Sequence, residues 1–285
     1  MNTFDTKPNT KLNMKPNMKP NASELANQLR TQPAQSTACQ SYASVSSPSV
    51  SSTSDSSTSN ASACASKQGI NQGVFISFEG CDKAGKSTHI KHISAALEQH
   101  GYKVVYVQEP GSTQLGAHIR EIVKTCSEPL SAKAELMLFL AARAQLVDTV
   151  IRPALTQGCV VLADRFMDSS VAYQGYGRGL DPAFIEHCNA FVCDECVPDK
   201  TILLIPEGNP HEKFANELVN NEHDRMEREG VEFQQATLAG YHHIAQRYPQ
   251  RIAIVHTASS KECTFKRVCE ALSGLFPCLH HEELC

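Results

Sequence analysis

The stretch "FEGCDKAGKST", residues 78–88, places Gly80, Gly85, Lys86 and Ser87 at the spacing GxxxxGK[ST]. Each fixed position serves anion binding. The glycines let the chain wrap so that successive N–H groups point inward, and a helix opening near Lys86 adds the positive end of its dipole. The lysine ammonium then reaches β- and γ-phosphates, and the Ser87 hydroxyl is a candidate ligand for Mg2+. Gly80, Cys81, Asp82, Lys83, Ala84, Gly85, Lys86, Ser87 and Thr88 together form a candidate ATP cradle. The motif does not require a second lysine, so Lys83 is either a solvated charge or meets a further anion.

A cradle does not name a reaction. A GTPase needs a base-reading NKxD after a strand, and none occurs here. A motor or transporter ATPase carries a catalytic carboxylate after its Walker-B aspartate, whereas "VVLADRF" puts Arg165 directly after Asp164. A cation at that point favours a second anionic substrate. In "AELMLFLAARAQL", Glu135, Phe139 and Arg143 recur every fourth residue and so share one helix face. A ring beside a guanidinium fork suits a nucleobase, although the same spacing also describes a core phenylalanine and a solvated arginine. "DRFMDSSVAYQGYGRG" (164–179) then strings an acid, a cation, hydroxyls, an aromatic and an amide between a strand end and a helix. That set suits phosphate, sugar and base.

These residues need elements to hold them. Apolar, β-leaning runs predict strands at 73–80, 103–107, 159–164, 200–205 and 251–255. Helical spacing predicts helices over 86–101, 114–125 and 132–155, the last interrupted by Pro153. The alternation gives an α/β fold, a parallel sheet of five strands with helices on both faces. Ligands in such sheets bind beyond the carboxyl ends of the strands, where the cradle falls.

Residues 1–70 contain the near-repeat "KPNTKLNMKPNMKPN" and a serine-rich run with almost nothing branched or aromatic to bury. Such a segment cannot offset an ordering entropy of roughly 1–2 kcal/mol per residue, which predicts a disordered extension before one domain over 71–285. A net charge of −4 argues against nucleic acid as a partner. No apolar run reaches the roughly 18–20 residues of a membrane span. The N-terminus lacks the apolar core of a secretory signal; its acid-poor, Ser-rich character leaves a transit peptide open, with the cytoplasm favoured. Twelve cysteines are scattered, and neither Cys188, Cys193 and Cys196 nor His280, His281 and Cys285 has the paired spacing of a zinc site, so no structural metal is expected.

The P-loop, "EPGSTQLGAHIR" (109–120), "LFLAARAQLV" (138–147), "DRFMDSSVAYQGYGRG" and "DRME" (224–227) follow one another over residues 73–257. In this order the chain resembles the thymidylate kinases of bacterial type. The resemblance implies a P-loop kinase with a five-stranded parallel core and a helical lid, transferring phosphate from Mg-ATP to dTMP as a homodimer. It implies that Phe139 stacks on thymine, that Arg143 bonds its carbonyl edge, and that Ser170 and Gln174 line the base pocket. Tyr173 would sit against the sugar's 2′ position and Asp82 would touch the 3′-OH or a magnesium-bound water. Arg120 and Arg165 would grip the monophosphate, and Asp164 would hold Mg2+ through water or position the acceptor.

Departures from that family are informative. Most bacterial members have glycine where Lys83 stands and arginines in the lid, where this chain reads "KFANELVNNEHDRME". A metaphosphate-like transition state needs cationic help worth about 10³–10⁵ in rate. Lys83 is the expected substitute, as in a second class of the family whose loop reads "GxDRAGKST". Gln108 and Ser112 replace the usual Arg and Gly around "EPG", and "LLIPEGNP" (203–210) replaces an acid after the fourth strand. No general base is expected, since the acceptor is already a dianion near neutral pH. The rival readings are a nucleotide-binding protein without catalysis and a kinase of another nucleoside monophosphate.

Overall fold

The computed structural model describes residues 73–126, 128–207, 229–258 and 260–281. The expected extension over 1–70, the lid stretch with "DRME", and Cys285 lie outside the described residues. The strands are β1 (Val74–Gly80), β2 (Val104–Gln108), β3 (Val160–Asp164), β4 (Lys200–Pro206) and β5 (Ile252–Thr257). All pair in parallel, in the order β2-β3-β1-β4-β5. The expected five-stranded parallel α/β architecture is therefore observed, with strand limits displaced by one or two residues.

The period of two along β1 sorts its side chains between two cores. Ile76 and Phe78 pack with Ile90, Ile93 and Leu97 of α1 (Lys86–Gln99) and with Phe265, Val268 and Leu272 of a C-terminal helix, Lys261–Leu272. Phe75, Ser77 and Glu79 face the other way, where Phe75 meets Leu146, Ile151 and Phe166. A polar residue on a buried face needs partners, and Glu79 becomes important below.

Between β2 and β3 lie α2 (Gln114–Thr125), α3 (Ala132–Leu146) and α4 (Arg152–Thr156). Thr113 and Ser131 cap α2 and α3, their side chains accepting from the Gly116 and Ala134 amides. The interruption expected at Pro153 is a change of pitch. Val147–Ile151 form a π-helical turn, the Arg152 amide bonds to the carbonyl of Val147 five residues back, and Pro153, which has no N–H to donate, sits at the junction with α4. After β3 come α5 (Met167–Ser170), a second π-helical turn (Val171–Gly177) and α6 (Pro182–Cys193). Helices α7 (Val231–Arg247) and α8 (Lys261–Leu272) flank β5.

Register brings the chemistry to one edge. Asp164 lies beside Phe78 on one side and Gln108 on the other, and Gly80 lies beside Leu204. The ends of β2, β3, β1 and β4 thus lie side by side at one edge of the sheet. No helix among the described residues is long and apolar enough to cross a membrane.

Candidate active site

The cradle wraps as its glycines allow. Gly80 has φ 129°, and a Cβ there would lie 2.2 Å from the carbonyl oxygen of Leu204, so no side chain fits between β1 and β4. Gly85 has φ 89° and opens α1. Lys86 folds back over the loop, its Nζ donating to the carbonyls of Gly80 (3.2 Å) and Cys81 (2.8 Å). Burial first, then the neighbouring Arg165 guanidinium, pull its pKa from 10.5 down to about 8. Ser87 Oγ donates to Asp164 Oδ2 at 2.6 Å, uniting two oxygens that the sequence places 77 residues apart. Cys81 and Ala84 are buried beneath the loop, and burial pushes the Cys81 thiol up, away from nucleophilic character.

Two hollows meet at this loop. One, of about 280 Å³, is lined by Lys83, Gly85, Lys86, Ser87 and Thr88. The other, of about 270 Å³, shares Lys83, Lys86 and Ser87 and extends away from the cradle. Its walls include Gln108 to Pro110 at the end of β2, Arg120 and Lys124 of α2, Phe139 of α3, Asp164 and Arg165 at the end of β3, and Ser169, Tyr173 and Gln174. Asp82, Arg120, Phe139, Arg165, Tyr173 and Gln174, expected at the acceptor, are brought together here with Lys83, expected at the cradle, and Asp164, expected to hold Mg2+ or position the acceptor.

Arg165 is strapped to its wall. With φ 69° it turns out of β3, and its guanidinium donates to Asp82 Oδ1, to the Tyr173 hydroxyl (3.0 Å) and to the Gly80 carbonyl (3.0 Å). The Tyr173 ring lies under it at 4.8 Å. Burial raises the pKa of Asp82, but Arg165 and Lys86 outweigh it and hold that carboxyl below its usual range. Arg120 Nη1 donates to the Pro110 carbonyl at 3.0 Å, fixing α2 against the turn after β2.

Two of the expected residues are placed behind the cavity and not on its wall. Arg143 is 1% exposed, and all five of its N–H donors are taken by protein acceptors. Nε and Nη2 grip the Glu109 carboxylate at 2.9 and 2.6 Å, Nη1 donates to Ser170 Oγ (3.0 Å) and Asn189 Oδ1 (2.6 Å), and Nη2 also reaches the Phe166 carbonyl (3.1 Å). Neither Arg143 nor Ser170 lines the cavity. They stand behind it, where the buried Glu109 carboxylate just after β2 holds the guanidinium. Ser169 takes the lining place expected of Ser170. Glu135, on the same helix face, is likewise an anchor, accepting from Gln174 Nε2 (2.8 Å) and pairing with Arg178 (3.1 Å).

A family model described as thymidylate kinase matches residues 78–268. The chain belongs to the thymidylate kinase family. A thymidylate kinase of Chlorobaculum parvum is 38% identical over 209 residues, covering 71% of this chain and 96% of the relative. A thymidylate kinase of Halothermothrix orenii is 39% identical over 204 residues, covering 71% and 98%. The crystal structure of a thymidylate kinase from Ehrlichia chaffeensis superposes with a TM-score of 0.59 at 28% identity, over 70% of this chain and 99% of that one. Within the thymidylate kinase frame, sequence reasoning missed Glu79, Glu109, Ser169, Asn189 and Tyr241, which act through contacts between distant elements. Lys124 was also missed; its place four residues after Arg120 on α2 was the available signal.

Proposed function

We propose that the protein transfers the γ-phosphoryl group of ATP to dTMP, giving dTDP and ADP. The observation that carries this is the meeting of two hollows at Lys83, Lys86 and Ser87: one is lined by the phosphate-cradle loop, the other by cations and an aromatic ring. An oxygen of the acceptor phosphate attacks the γ-phosphorus as the bond to the β–γ bridging oxygen breaks. The acceptor is already anionic, so no residue need remove a proton, and catalysis is positioning and charge stabilisation.

Phe139 stacks on the thymine and Gln174, held by Glu135, meets its edge. Tyr173 sits at the 2′ position of the sugar and Asp82 at the 3′-OH. Arg120 and Arg165 grip the monophosphate, while Lys86 and Lys83 supply cationic charge to the migrating group. Lys83 suits this role because it borders both hollows. Arg143 and Ser170 act from behind, by holding Glu109 and the Phe166 backbone in place. Ser87 and Asp164 offer hard oxygen donors at one point, which fits Mg2+, and Mg2+ held there would neutralise phosphate charge.

A homodimer is the favoured assembly. Phe191 is 85% exposed and Phe184 53% on α6, and Met137 is 49% exposed on α3, which packs against α6. Phe191→Lys should shift the species in light scattering from dimer to monomer. The nine described cysteines are free thiols, which fits the cytoplasm.

The decisive experiment is a coupled ADP-release assay across nucleoside monophosphates. Highest kcat/KM with dTMP is expected. ATP binding without turnover on any acceptor would favour the non-catalytic reading, and preference for another monophosphate would move the substrate.

A further inference from the structure

Glu79 is fully buried at the end of β1, and three elements converge on its carboxylate. The Phe166 amide donates to Oε1 at 2.8 Å. Ser169 Oγ of α5 and the Tyr241 hydroxyl of α7 both donate to Oε2, at 2.6 and 2.8 Å. The two hydroxyls are themselves 2.9 Å apart, so three oxygens form a closed triangle. Against this triangle lies Arg165, whose Nη1 donates to Ser169 Oγ at 3.3 Å and to the Tyr241 hydroxyl at 3.2 Å.

Counting protons shows what the triangle does. Each hydroxyl carries one proton. When Glu79 is ionised, both protons point to its carboxylate, and neither hydroxyl accepts a bond from within the triangle. Their lone pairs then face the guanidinium. When Glu79 is protonated there are three protons for three edges, and each hydroxyl accepts one bond inside the ring. The acceptors that hold Nη1 are then shared.

We propose that Glu79 is a positioning residue for Arg165: ionised, it turns the Ser169 and Tyr241 hydroxyls into a paired acceptor that aims the guanidinium at the acceptor's phosphate, and protonation loosens that aim. The proposal rests on the assignment of Arg165 to the monophosphate. The surroundings put the change of state in a usable range. Burial first, and the Asp168 carboxylate of α5 second, raise the Glu79 pKa from 4.5 to about 7, against the lowering influence of the Ser169 hydroxyl, Arg165 and the Tyr241 hydroxyl. Lys86 of α1, Arg143 of α3 and Arg251, just before β5, also feel the Glu79 charge, and Arg251 is itself paired with Asp168 at 2.6 Å.

The test compares kcat/KM for dTMP in the wild type and in Glu79→Gln across pH, because ionisation of the substrate cancels in the ratio. The wild type should lead by about tenfold near pH 8, and the ratio should fall towards one as the pH drops through the neutral range, where the wild type comes to carry the proton that the amide mimics. A ratio that stays constant with pH, at any value, overturns the proposal. Tyr241→Phe provides a second reading. It deletes a hydrogen bond that lowers the Glu79 pKa, so the acid limb should move to higher pH, and an unmoved limb overturns the proposal as well. Arg165→Lys separates the two levels of the argument. If it leaves KM for dTMP unchanged, the assignment of Arg165 to phosphate fails; if it raises KM while the Glu79→Gln ratio stays flat, only the inference about Glu79 fails.

Discussion

Arg143 and Arg165 border the same cavity, one behind its wall and one within it, and their surroundings differ in kind. Arg143 has every donor committed to acceptors fixed by β2, α5, α6 and the start of the loop after β3. Arg165 is tethered on one side by Asp82, Tyr173 and Tyr241 while it still borders open space. Arg143 is a brace, which makes the pocket a fixed shape. Arg165 is held on one side and open on the other, so in the proposed role of phosphate grip it would be a tool on a short arm that needs little reorganisation.

The largest effect that would break this contrast is on stability. Arg143→Met leaves the Glu109 carboxylate buried without its cation and should cost about 3–5 kcal/mol in denaturant unfolding. Adding Glu109→Gln should recover part of that loss, since the stranded charge is then gone. A loss below about 1 kcal/mol would show that Arg143 is no brace.

On the open side the effects should fall on rate instead. Lys86→Met should lower kcat by about 10²–10³. It should leave the melting temperature equal or higher, because the buried ammonium already has its pKa pulled down to about 8 by desolvation. Lys83→Ala should cost about 10²-fold in kcat, with Lys83→Arg restoring most of it. If Lys83→Ala leaves dTDP production at the wild-type rate, the transferring group draws its charge from elsewhere.

The contrast also shows what the sequence could and could not convey. The cradle was legible because its chemistry is local: fixed spacing after a strand and before a helix is enough to place Gly80, Lys86 and Ser87. The parallel sheet was legible because β1 to β5 are apolar runs between amphipathic helices. Helix spacing correctly put Glu135, Phe139 and Arg143 on one face. It could not say that Glu109, 34 residues earlier, would take the guanidinium. Ser169 and Ser170 are neighbours on one short helix, so they point to different sides of it, and only the placement of that helix against Glu79, Tyr241 and Arg143 decides which one lines the pocket. Glu79 and Tyr241 are 162 residues apart and carry no motif that names them as partners.

Glu79 sharpens the comparison through pH. Its folded-state pKa of about 7 lies above its ordinary 4.5, so the native state binds the proton more tightly than the unfolded chain. That stabilisation is fully present below about pH 4.5 and is lost as the pH rises through 7, by at most about 3 kcal/mol. Glu79→Gln should remove this decline, so the stability of variant minus wild type should grow between these pH values in urea titrations. A difference that stays flat would mean that Glu79 keeps its ordinary acidity.

The smallest effect tests the boundary between brace and tool on a single helix. Phe139 lies one turn before Arg143, yet it is half-buried and lines the cavity, resting against the Ile119, Val123 and Ala142 cluster. As a stacking platform it should contribute about 1–2 kcal/mol to base binding, so Phe139→Ala should raise KM for dTMP roughly 5- to 30-fold. Because the ring touches the base equally in ground and transition states, kcat should hold. Were Phe139 an ordinary core residue like its neighbour Leu140, the same change would cost about 3–5 kcal/mol of stability and leave KM alone. Measuring KM and unfolding free energy on one variant therefore decides on which side of the pocket wall that ring belongs.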